Sequence, residues 1–374
     1  MGDTSSLFDR LGSALAVNCC QFACLMPTPP ECDYDIVVDN RDWMTRLRAD
    51  RPHARLRVSK AIGQRTPTTR LIVVLLTRPH LGVRRQEMTL PGSHDSASCT
   101  ISPFSPFSGV GRCQNLSVYE QLVRGVRYLD LRLGADTGAT APGALDDIYI
   151  CHGMLKGGPF VDTVNEIYKF LKLNPGEFLV IEMAKESDML PCQQYLCMRI
   201  IKETFGDTMI TDEDVEGWFK CCYATLSDIE SNEKQLLVVA NETLRSFEHD
   251  GTQYGGKKTS EEFACHPNNR FLTNRWHDTD DLSTLIEKNV AFKNRNGDCK
   301  KLLVSQFVLT PKAPESLTHA LLLLVGQKTL RPASLAQKLY SSGALEDCLS
   351  GNADGHSWGI VLLDFVDLTP RTMR

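Results

Sequence analysis

The order of strand and helix patterns along the chain limits its fold more than any other feature. From residue 86 onward, short apolar runs typical of strands alternate with stretches of helical periodicity. One helix pattern opens with Ser117 and Glu120 at capping-box spacing and closes at Gly125, and another covers 160–173 with one apolar face. Strands are predicted at 87–90, 126–133, 147–151, 177–183, 235–240, 301–309 and 358–366.

This alternation predicts an α/β fold in which parallel strands are joined by helical crossovers. Neither a GxGxxG motif nor a Walker loop follows the first predicted strand, which disfavours a nucleotide-binding sheet. We therefore predict a distorted (β/α) barrel of the TIM type over 86–374. In such a barrel, catalytic side chains collect at the carboxyl ends of the strands.

The first 85 residues differ in composition from the predicted barrel and are interpreted as an N-terminal extension, Cys-bearing and then Arg-rich. Between Arg46 and Arg85 the only acidic residue is Asp50. A solvated, partly disordered extension is the favoured interpretation. The alternative is attraction to anionic lipid, to which each basic residue near the surface contributes ~1 kcal/mol.

The start of the chain also carries a lipid-attachment pattern. "MGDTSS" fits the loose myristoylation motif at Gly2, and a cysteine cluster offers sites for the second acyl chain that stable attachment needs. These cysteines are Cys19, Cys20 and Cys24. The pattern predicts a protein that associates peripherally with a membrane.

Bulk composition excludes several classes of protein. The net charge of −5 argues against a nucleic-acid binder, because a phosphate backbone calls for a basic face. The 14 cysteines form no pair of CxxC units with zinc spacing, and no clear secretory signal precedes them, so reduced thiols in the cytoplasm are expected. No apolar run approaches the ~20 residues that span a bilayer.

Polar side chains recur at the ends of the predicted strands. Those singled out are His94 and Asp95 after a Pro-Gly turn signal, Asp130 and Arg132 on the second strand, His152, Glu182, Lys185 and Asp364. Each alone has a structural explanation, such as an ion pair between Asp130 and Arg132. Together, two histidines and an arginine suit phosphodiester cleavage: one imidazole accepts a proton, the other supplies one, and the guanidinium binds phosphate oxygens.

Four motifs resemble the X domain of phosphatidylinositol-specific phospholipases C. They are "LPGSHDS", "GVRYLDLR", "CHG" and "NPGEFLVIEM", in the family order between about Met88 and Phe365. The longer run over 111–132 and "LLDFV" are most similar to glycosylphosphatidylinositol phospholipases C of the trypanosome type. The resemblance implies a distorted β/α barrel and a phospholipase C reaction.

The resemblance also implies a role for each matching residue. His94 corresponds to the general base that deprotonates the inositol 2-hydroxyl, and Asp364 to the carboxylate that orients it. His152 corresponds to the general acid for the departing diacylglycerol oxygen, and Asp95 to its helper. The implied products are diacylglycerol and inositol 1,2-cyclic phosphate.

Arg132 distinguishes between the subfamilies. It occupies a position where the calcium-dependent members carry a metal ligand, and a guanidinium would repel calcium, so no metal and no other cofactor is expected. Asp130 and Lys185 are the expected substrate-binding residues. The arginine with which bacterial members hold inositol has no counterpart on the strand at 235–241.

That departure keeps a second hypothesis open, a catalytically silent barrel that binds inositol lipids or a protein. A third, a phosphodiesterase acting on glycerophosphodiesters or sphingomyelin, would need a metal and a carboxylate cluster that Arg132 disrupts. The expected partner is phosphatidylinositol or a glycosylphosphatidylinositol anchor at a membrane surface. The sequence leaves the choice between these two substrates, and the oligomeric state, open.

Overall fold

The computed structural model describes eight segments of the chain: 89–105, 107–136, 147–219, 224–246, 263–296, 301–311, 332–350 and 357–368. The N-terminal extension, with its predicted acylation sites Gly2, Cys19, Cys20 and Cys24, lies outside these segments. The boundary between the extension and the barrel therefore stays a prediction.

One sheet runs through the described residues. Its strands are β1 Leu90–Ser93, β2 Tyr128–Ala135, β3 Ile148–His152, β4 Leu155–Pro159, β5 Leu179–Lys185, β6 Leu236–Ala240, β7 His266–Pro267, β8 Leu272–Arg275, β9 Leu302–Gln306 and β10 Ile360–Leu363. The strand order is β7-β6-β5-β2-β1-β10-β9-β8, with β3 and β4 added as a hairpin beside β2. Pairing is parallel along the main path, as the alternation of strands and helices predicts.

Helices connect most of the parallel strands. They are α1 Ser108–Gly111, α2 Val118–Val123, α3 Phe160–Leu173, α4 Pro191–Phe205, α5 Asp212–Glu216, α6 Leu226–Ser231, α7 Glu242–Arg245, α8 Asn268–Phe271, α9 Leu282–Asn296, α10 Pro332–Ser341 and α11 Ala344–Ser350. Among these described helices, none has the length and apolarity needed to cross a bilayer.

The two faces of the sheet bury different apolar clusters. Tyr128 and Val180 pack with Leu237, Val304 and Leu362 in one cluster, so strands from distant parts of the sheet meet on this face. Their neighbours along β2, β5 and β6 pack against α3 and α4 on the opposite face. Residues from β6 and β8 can share the first cluster only if the sheet is curled, which confirms the predicted barrel-type fold.

Strand β1 departs from the prediction. The strand was expected at 87–90 with a Pro-Gly turn after it, but β1 runs through Pro91 and Gly92. A Cβ on Gly92 would lie 2.9 Å from Ile360 Cγ2 and 3.0 Å from the Tyr128 ring. The turn prediction was wrong because this glycine permits close packing inside the barrel.

The hairpin of β3 and β4 is a second departure. Strand β3 is antiparallel to β2, with Leu133 opposite Ile150, whereas only parallel strands were expected. The chain therefore turns back over the carboxyl end of β2 before α3 begins. His152, at the end of β3, returns toward the sheet by this route rather than from the end of a parallel strand.

Helix α2 begins with a complete capping box. Ser117 Oγ accepts a hydrogen bond from the Glu120 backbone N–H at 3.2 Å, and Glu120 Oε2 accepts one from the Ser117 N–H at 2.8 Å. Ser117→Ala is expected to lower the free energy of unfolding by ~1 kcal/mol, because the cap hydroxyl is lost. Urea melts would measure this, and Ser117→Thr should retain most of the stability. An unchanged midpoint in Ser117→Ala would contradict the assignment.

Candidate active site

Six predicted residues meet at the carboxyl edge of the sheet. The loop after β1 carries His94 and Asp95, and Asp364 directly follows β10, which pairs with β1. Strand β2 supplies Asp130 and Arg132, and the β3–β4 hairpin brings His152 to the same place. The two imidazole rings face each other edge-on with centroids 6.3 Å apart. The sequence prediction that these side chains assemble at one sheet edge agrees with this geometry.

The surroundings of His94 fix its tautomer. Nδ1 lies 2.8 Å from Asp364 Oδ1, and Nε2 lies 2.8 Å from an Arg132 terminal nitrogen. Because a guanidinium only donates hydrogen bonds, Nε2 must present its lone pair to Arg132. Nδ1 then carries the proton and donates it to Asp364. The ring is therefore neutral with its basic nitrogen directed toward the arginine, as a general base requires.

Arg132 is the central cation of the cluster. Its terminal nitrogens lie 3.3 Å from Asp130 Oδ2 and 3.3 Å from Glu186 Oε2. Burial alone would lower the pKa of Arg132, but the carboxylates of Asp130, Asp95 and Glu186 outweigh burial and raise it. The guanidinium therefore stays charged and is held from two sides, with its side chain 23% exposed for a ligand.

Asp130 is an ionised partner of Arg132. Burial alone would raise the pKa of this carboxyl, but the neighbouring Arg132 and His94 and the Asp95 backbone N–H hold the pKa below its ordinary value. That N–H donates to Asp130 Oδ2 at 3.1 Å. Ser96 Oγ accepts the Asp130 N–H at 2.9 Å, so the β1 loop and β2 are tied together beneath the two histidines.

Asp95 and His152 form a second acid–base pair. His152 Nδ1 lies 2.8 Å from the Gly111 carbonyl oxygen and 3.4 Å from Asp95 Oδ2. The carbonyl accepts a hydrogen bond, so Nδ1 carries a proton and Nε2 is the nitrogen that gains or loses one. The imidazole is 26% exposed, whereas Asp95 is fully buried in a left-handed conformation with φ of 43°. His152 therefore offers Nε2 to a ligand, while the buried Asp95 carboxyl lies beside Nδ1.

The burial of Asp95 predicts a pH-dependent stability. Neither of its carboxyl oxygens has a hydrogen-bond partner, and burial raises the pKa well above the ordinary 3.8, with Arg132 and His94 opposing but not cancelling the effect. The protonated form is thus favoured in the folded state. Its contribution to stability is complete below pH ~3.8 and is lost as the pH rises through the raised pKa.

Asp95→Asn removes this titration. We expect the variant to be more stable than the parent at pH 8, with a melting temperature higher by about 2 °C or more, and the difference to shrink toward pH 4.5. Thermal melts at the two pH values measure the effect. A difference that is equal at both, or that grows toward acid pH, would contradict an elevated pKa at Asp95.

Two further residues hold the site and were not singled out in the sequence. Gln114 Nε2 donates to the carbonyls of His94 and Leu363, each at 2.9 Å, and so joins the loop after β1 to the end of β10. Glu186 accepts the Gly153 N–H at 3.0 Å while it pairs with Arg132, and so joins the hairpin to β2. The only sequence signal was position, since both lie within a few residues of predicted motifs.

Lys185 is placed differently from the other predicted residues. In the sheet register Arg132 is opposite Ala184, so Lys185, one residue on, directs its side chain to the helix-covered face. Its Nζ donates to the Met189 carbonyl at 3.4 Å. The structure does not bring Lys185 into the cluster around Arg132, and its expected contact with substrate stays a prediction without geometric support.

Glu182 lies directly opposite Asp130 in the register of β2 and β5. It accepts hydrogen bonds from the Tyr128 hydroxyl and from Asn268 Nδ2, the latter at 2.9 Å. Burial and the negative charge of Asp130 raise its pKa. Through these two hydrogen bonds, Glu182 links β2 to α8 beside the site.

Two sets of side chains have metal-ligand spacing: His94, Cys113 and Asp364, and Asp95, Cys113 and His152, each with donor atoms within 4.8 Å of one another. They share Cys113, and burial raises the pKa of its thiol well above the ordinary value. A metal binds the thiolate, so a buried neutral thiol is a poor ligand. The Arg132 charge beside both sets disfavours a cation further.

The fold and these side chains define a class of protein: a β/α barrel with two histidine–carboxylate pairs and an arginine at the carboxyl edge of its sheet. Residues 88–239 match the family described as phosphatidylinositol-specific phospholipase C, X domain. This match confirms the predicted resemblance to the X-domain family over this part of the chain.

Curated relatives from several organisms are also similar to this chain. Human PI-PLC X domain-containing protein 2 is 29% identical over 173 residues, 38% of this chain and 55% of the relative. The 1-phosphatidylinositol phosphodiesterase of Listeria monocytogenes is 27% identical, with 45% and 49% covered. The variant-surface-glycoprotein phospholipase C of Trypanosoma cruzi is 32% identical over 119 residues, with 24% and 30% covered. The chain thus spans about half the length of the first two.

Solved structures agree in fold. The phosphatidylinositol-specific phospholipase C of Listeria monocytogenes superposes with a TM-score of 0.55 at 17% identity, covering 90% of this chain and 96% of the other. A Staphylococcus aureus phosphatidylinositol-specific phospholipase C has a TM-score of 0.51 at 16% identity, covering 76% and 88%. At such identities the likeness establishes the barrel and not the activity.

Proposed function

We propose that this protein is a phospholipase C that cleaves phosphatidylinositol or glycosylphosphatidylinositol by general base and general acid catalysis. The observation that carries the proposal is a pair of histidines that both donate from Nδ1 and differ in what lies at Nε2. His94 presents a lone pair toward Arg132, and His152 has its Nδ1 proton engaged by the Gly111 carbonyl with Nε2 free to donate. A base and an acid thus flank one cation.

The first half of the reaction begins when the substrate phosphate binds Arg132. The phosphate oxygens replace His94 Nε2 as partners of the guanidinium, which has capacity for two parallel hydrogen bonds. His94 Nε2 then accepts the proton of the inositol 2-hydroxyl as that oxygen attacks phosphorus. Asp364, 2.8 Å from Nδ1, stabilises the imidazolium that forms.

The second half is the departure of the diacylglycerol oxygen. As its bond to phosphorus breaks, protonated His152 gives the Nε2 proton to that oxygen. The Gly111 carbonyl, 2.8 Å from Nδ1, and the Asp95 carboxyl, 3.4 Å from it, hold the ring for this transfer. The products are diacylglycerol and inositol 1,2-cyclic phosphate, so the proton lost to His94 and the proton given by His152 balance.

The position of Arg132 supports a metal-independent reaction. The guanidinium lies among Asp130, Asp95 and Glu186, where its positive charge does the work that a calcium ion would do on the phosphate. Bringing calcium to the same carboxylates would place two cations side by side. The proposal therefore assigns charge stabilisation in the transition state to Arg132.

A barrel that binds inositol lipids without turnover is the second candidate. Strand β6 is buried and wholly apolar, so it offers no cation to hold the inositol ring. The filled acid–base positions favour catalysis over this alternative. Lipid binding without product in the assay below would favour the silent barrel.

The deciding experiment is product analysis on labelled phosphatidylinositol and on a glycosylphosphatidylinositol-anchored protein, each in excess EGTA. We expect inositol 1,2-cyclic phosphate, detected by ³¹P NMR, at a rate that added calcium leaves unchanged. Activity that disappears in EGTA and returns with calcium would overturn metal independence. The absence of product from both substrates, with or without calcium, would overturn the enzyme assignment.

A further inference from the structure

A basic cleft lies outside the active site, between the end of β8 and helix α9. Its volume is about 230 Å³, far more than the ~30 Å³ share of one water molecule in liquid. Six of its lining residues carry a charge or a ring: Arg275, Trp276, His277, Lys288, Phe292 and Arg295. None of them takes part in the proposed reaction.

The fold builds the cleft from two facing elements. Lys288, Phe292 and Arg295 are spaced four and three residues apart, so they share one face of α9. On β8, Leu272 belongs to the cluster inside the barrel, so Arg275, three residues on, points to the outer face where α9 packs. Cations therefore approach the cleft from both sides.

The positive charge of the cleft is not neutralised within the described segments. No acidic residue of those segments lines it, and the ion pairs found among them do not include Arg275 or Arg295. Lys288 Nζ donates only to the His277 carbonyl, at 3.3 Å. His277 is 8% exposed and its Nε2 has no hydrogen-bond partner. The part of the chain that the structure describes thus brings three cations together around a lining that contains no acid.

We propose that this cleft binds a phosphate-bearing anion at a site separate from the active site. The guanidinium groups of Arg275 and Arg295 can each donate two parallel hydrogen bonds to phosphate oxygens, and the ammonium of Lys288 adds a compact positive charge. Trp276 is 58% exposed beside them, with its Nε1 donating to Thr310 Oγ1 at 2.9 Å. The phosphate belongs either to an anionic lipid headgroup or to a soluble compound.

The position of the cleft favours the lipid headgroup. Arg275 and Trp276 come at the carboxyl end of β8, the sheet edge that also carries the catalytic cluster. Loops at the same edge expose Phe104 and Met154 by 81% and 73%. Exposed apolar and indole side chains near cations are typical of surfaces that rest on a bilayer. The anion site stands on its own geometry, and only the lipid source rests on the proposed function.

The test compares two double variants of the full chain with the same loss of charge. Arg275→Gln/Arg295→Gln alters the cleft, and Lys169→Gln/Lys172→Gln removes two exposed lysines from α3 as the matched control. Sedimentation uses phosphatidylcholine vesicles with and without phosphatidylglycerol, which contain no inositol lipid and so do not depend on catalysis. We expect binding about 25-fold weaker in the cleft variant, about fivefold per basic residue, and unchanged in the control.

A second arm titrates inorganic phosphate and follows the melting temperature. Weaker vesicle binding in the cleft variant supports the site with a lipid source. Equal vesicle binding together with a phosphate-dependent rise in melting temperature, seen in the parent and lost in the cleft variant, supports it with a soluble source. If both responses are the same in the parent and the cleft variant, or absent from the parent, the proposal is overturned.

Discussion

Replacement of His94 by alanine is expected to lower the rate of phosphatidylinositol cleavage by about 10²–10⁴-fold, the usual contribution of a positioned general base. The expectation rests on the fixed tautomer of His94. Its Nδ1 donates a proton to Asp364, and its Nε2 carries the lone pair that can accept a proton. Removing the ring deletes the proton acceptor and leaves Arg132 to bind phosphate. The loss should therefore appear in kcat more than in KM.

The identity of the leaving group separates His94 from His152. In a synthetic inositol 4-nitrophenyl phosphodiester, the leaving group is 4-nitrophenolate. Its oxygen is weakly basic and needs little protonation as it departs. His152→Ala should lose far less activity on this substrate than on phosphatidylinositol, whereas His94→Ala should lose nearly as much on both. Equal losses for the two variants on both substrates would contradict the division into base and acid.

Two controls test whether the loss of activity comes from the missing imidazole and not from a general effect of substitution. Imidazole added to His94→Ala should restore part of the rate, because the small base can enter the vacated space. The surface variant Lys169→Gln/Lys172→Gln should match the parent. Activity of His94→Ala within about threefold of the parent would exclude this residue as the base.

Most of the fold could be predicted from the pattern of strands, because the periodicity of apolar residues reflects which side chains are buried. The capping box at Ser117 and the strand that leads to Asp130 and Arg132 lie where they were expected. Strands β7 and β8 were missed because they have two and four residues, too few to show a period. The turn predicted at Pro91 and Gly92 was wrong, because residue types that are common in turns also occur where strands pack closely in a barrel.

The sequence could predict which side chains meet at the candidate active site, but not how they are arranged. The strand-end rule placed His152 at this edge of the sheet, and it lies there, but it arrives on the antiparallel strand β3 and not at the end of a parallel strand. Lys185 and Glu186 are adjacent in sequence, yet only Glu186 reaches Arg132. Which of two neighbours faces the site depends on the sheet register, and a register is set by contacts between strands far apart in sequence.

The basic cleft is a second feature that the sequence alone did not predict. Its cations come from β8, which the strand pattern missed, and from α9, where Lys288 and Arg295 share a face. A basic face on a helix is ordinarily a solvated surface. Only the placement of α9 beside the end of β8 brings these cations together around one cleft.

Arg132→Ala is expected to reduce kcat by about 10²–10³-fold, because the guanidinium stabilises the charge that develops on the phosphate oxygens. The loss should be of transition-state stabilisation, so kcat falls more than KM rises. Arg132→Lys keeps one charge but loses the forked donors, and we expect an intermediate rate. Kinetics on phosphatidylinositol with and without EGTA measure all three proteins.

The same substitution leaves Asp130, Asp95 and Glu186 without their shared cation, so its effect on folding must be separated from its effect on catalysis. Glu186→Gln provides that separation, since it removes a partner of Arg132 and keeps the arginine near Asp130 and His94. We expect Glu186→Gln to lose less than tenfold in kcat. If Arg132→Ala retained a cooperative melt and a rate within threefold of the parent, the arginine would be a structural ion pair. Calcium stimulation of Arg132→Ala but not of the parent would instead show that the arginine occupies the place of a metal.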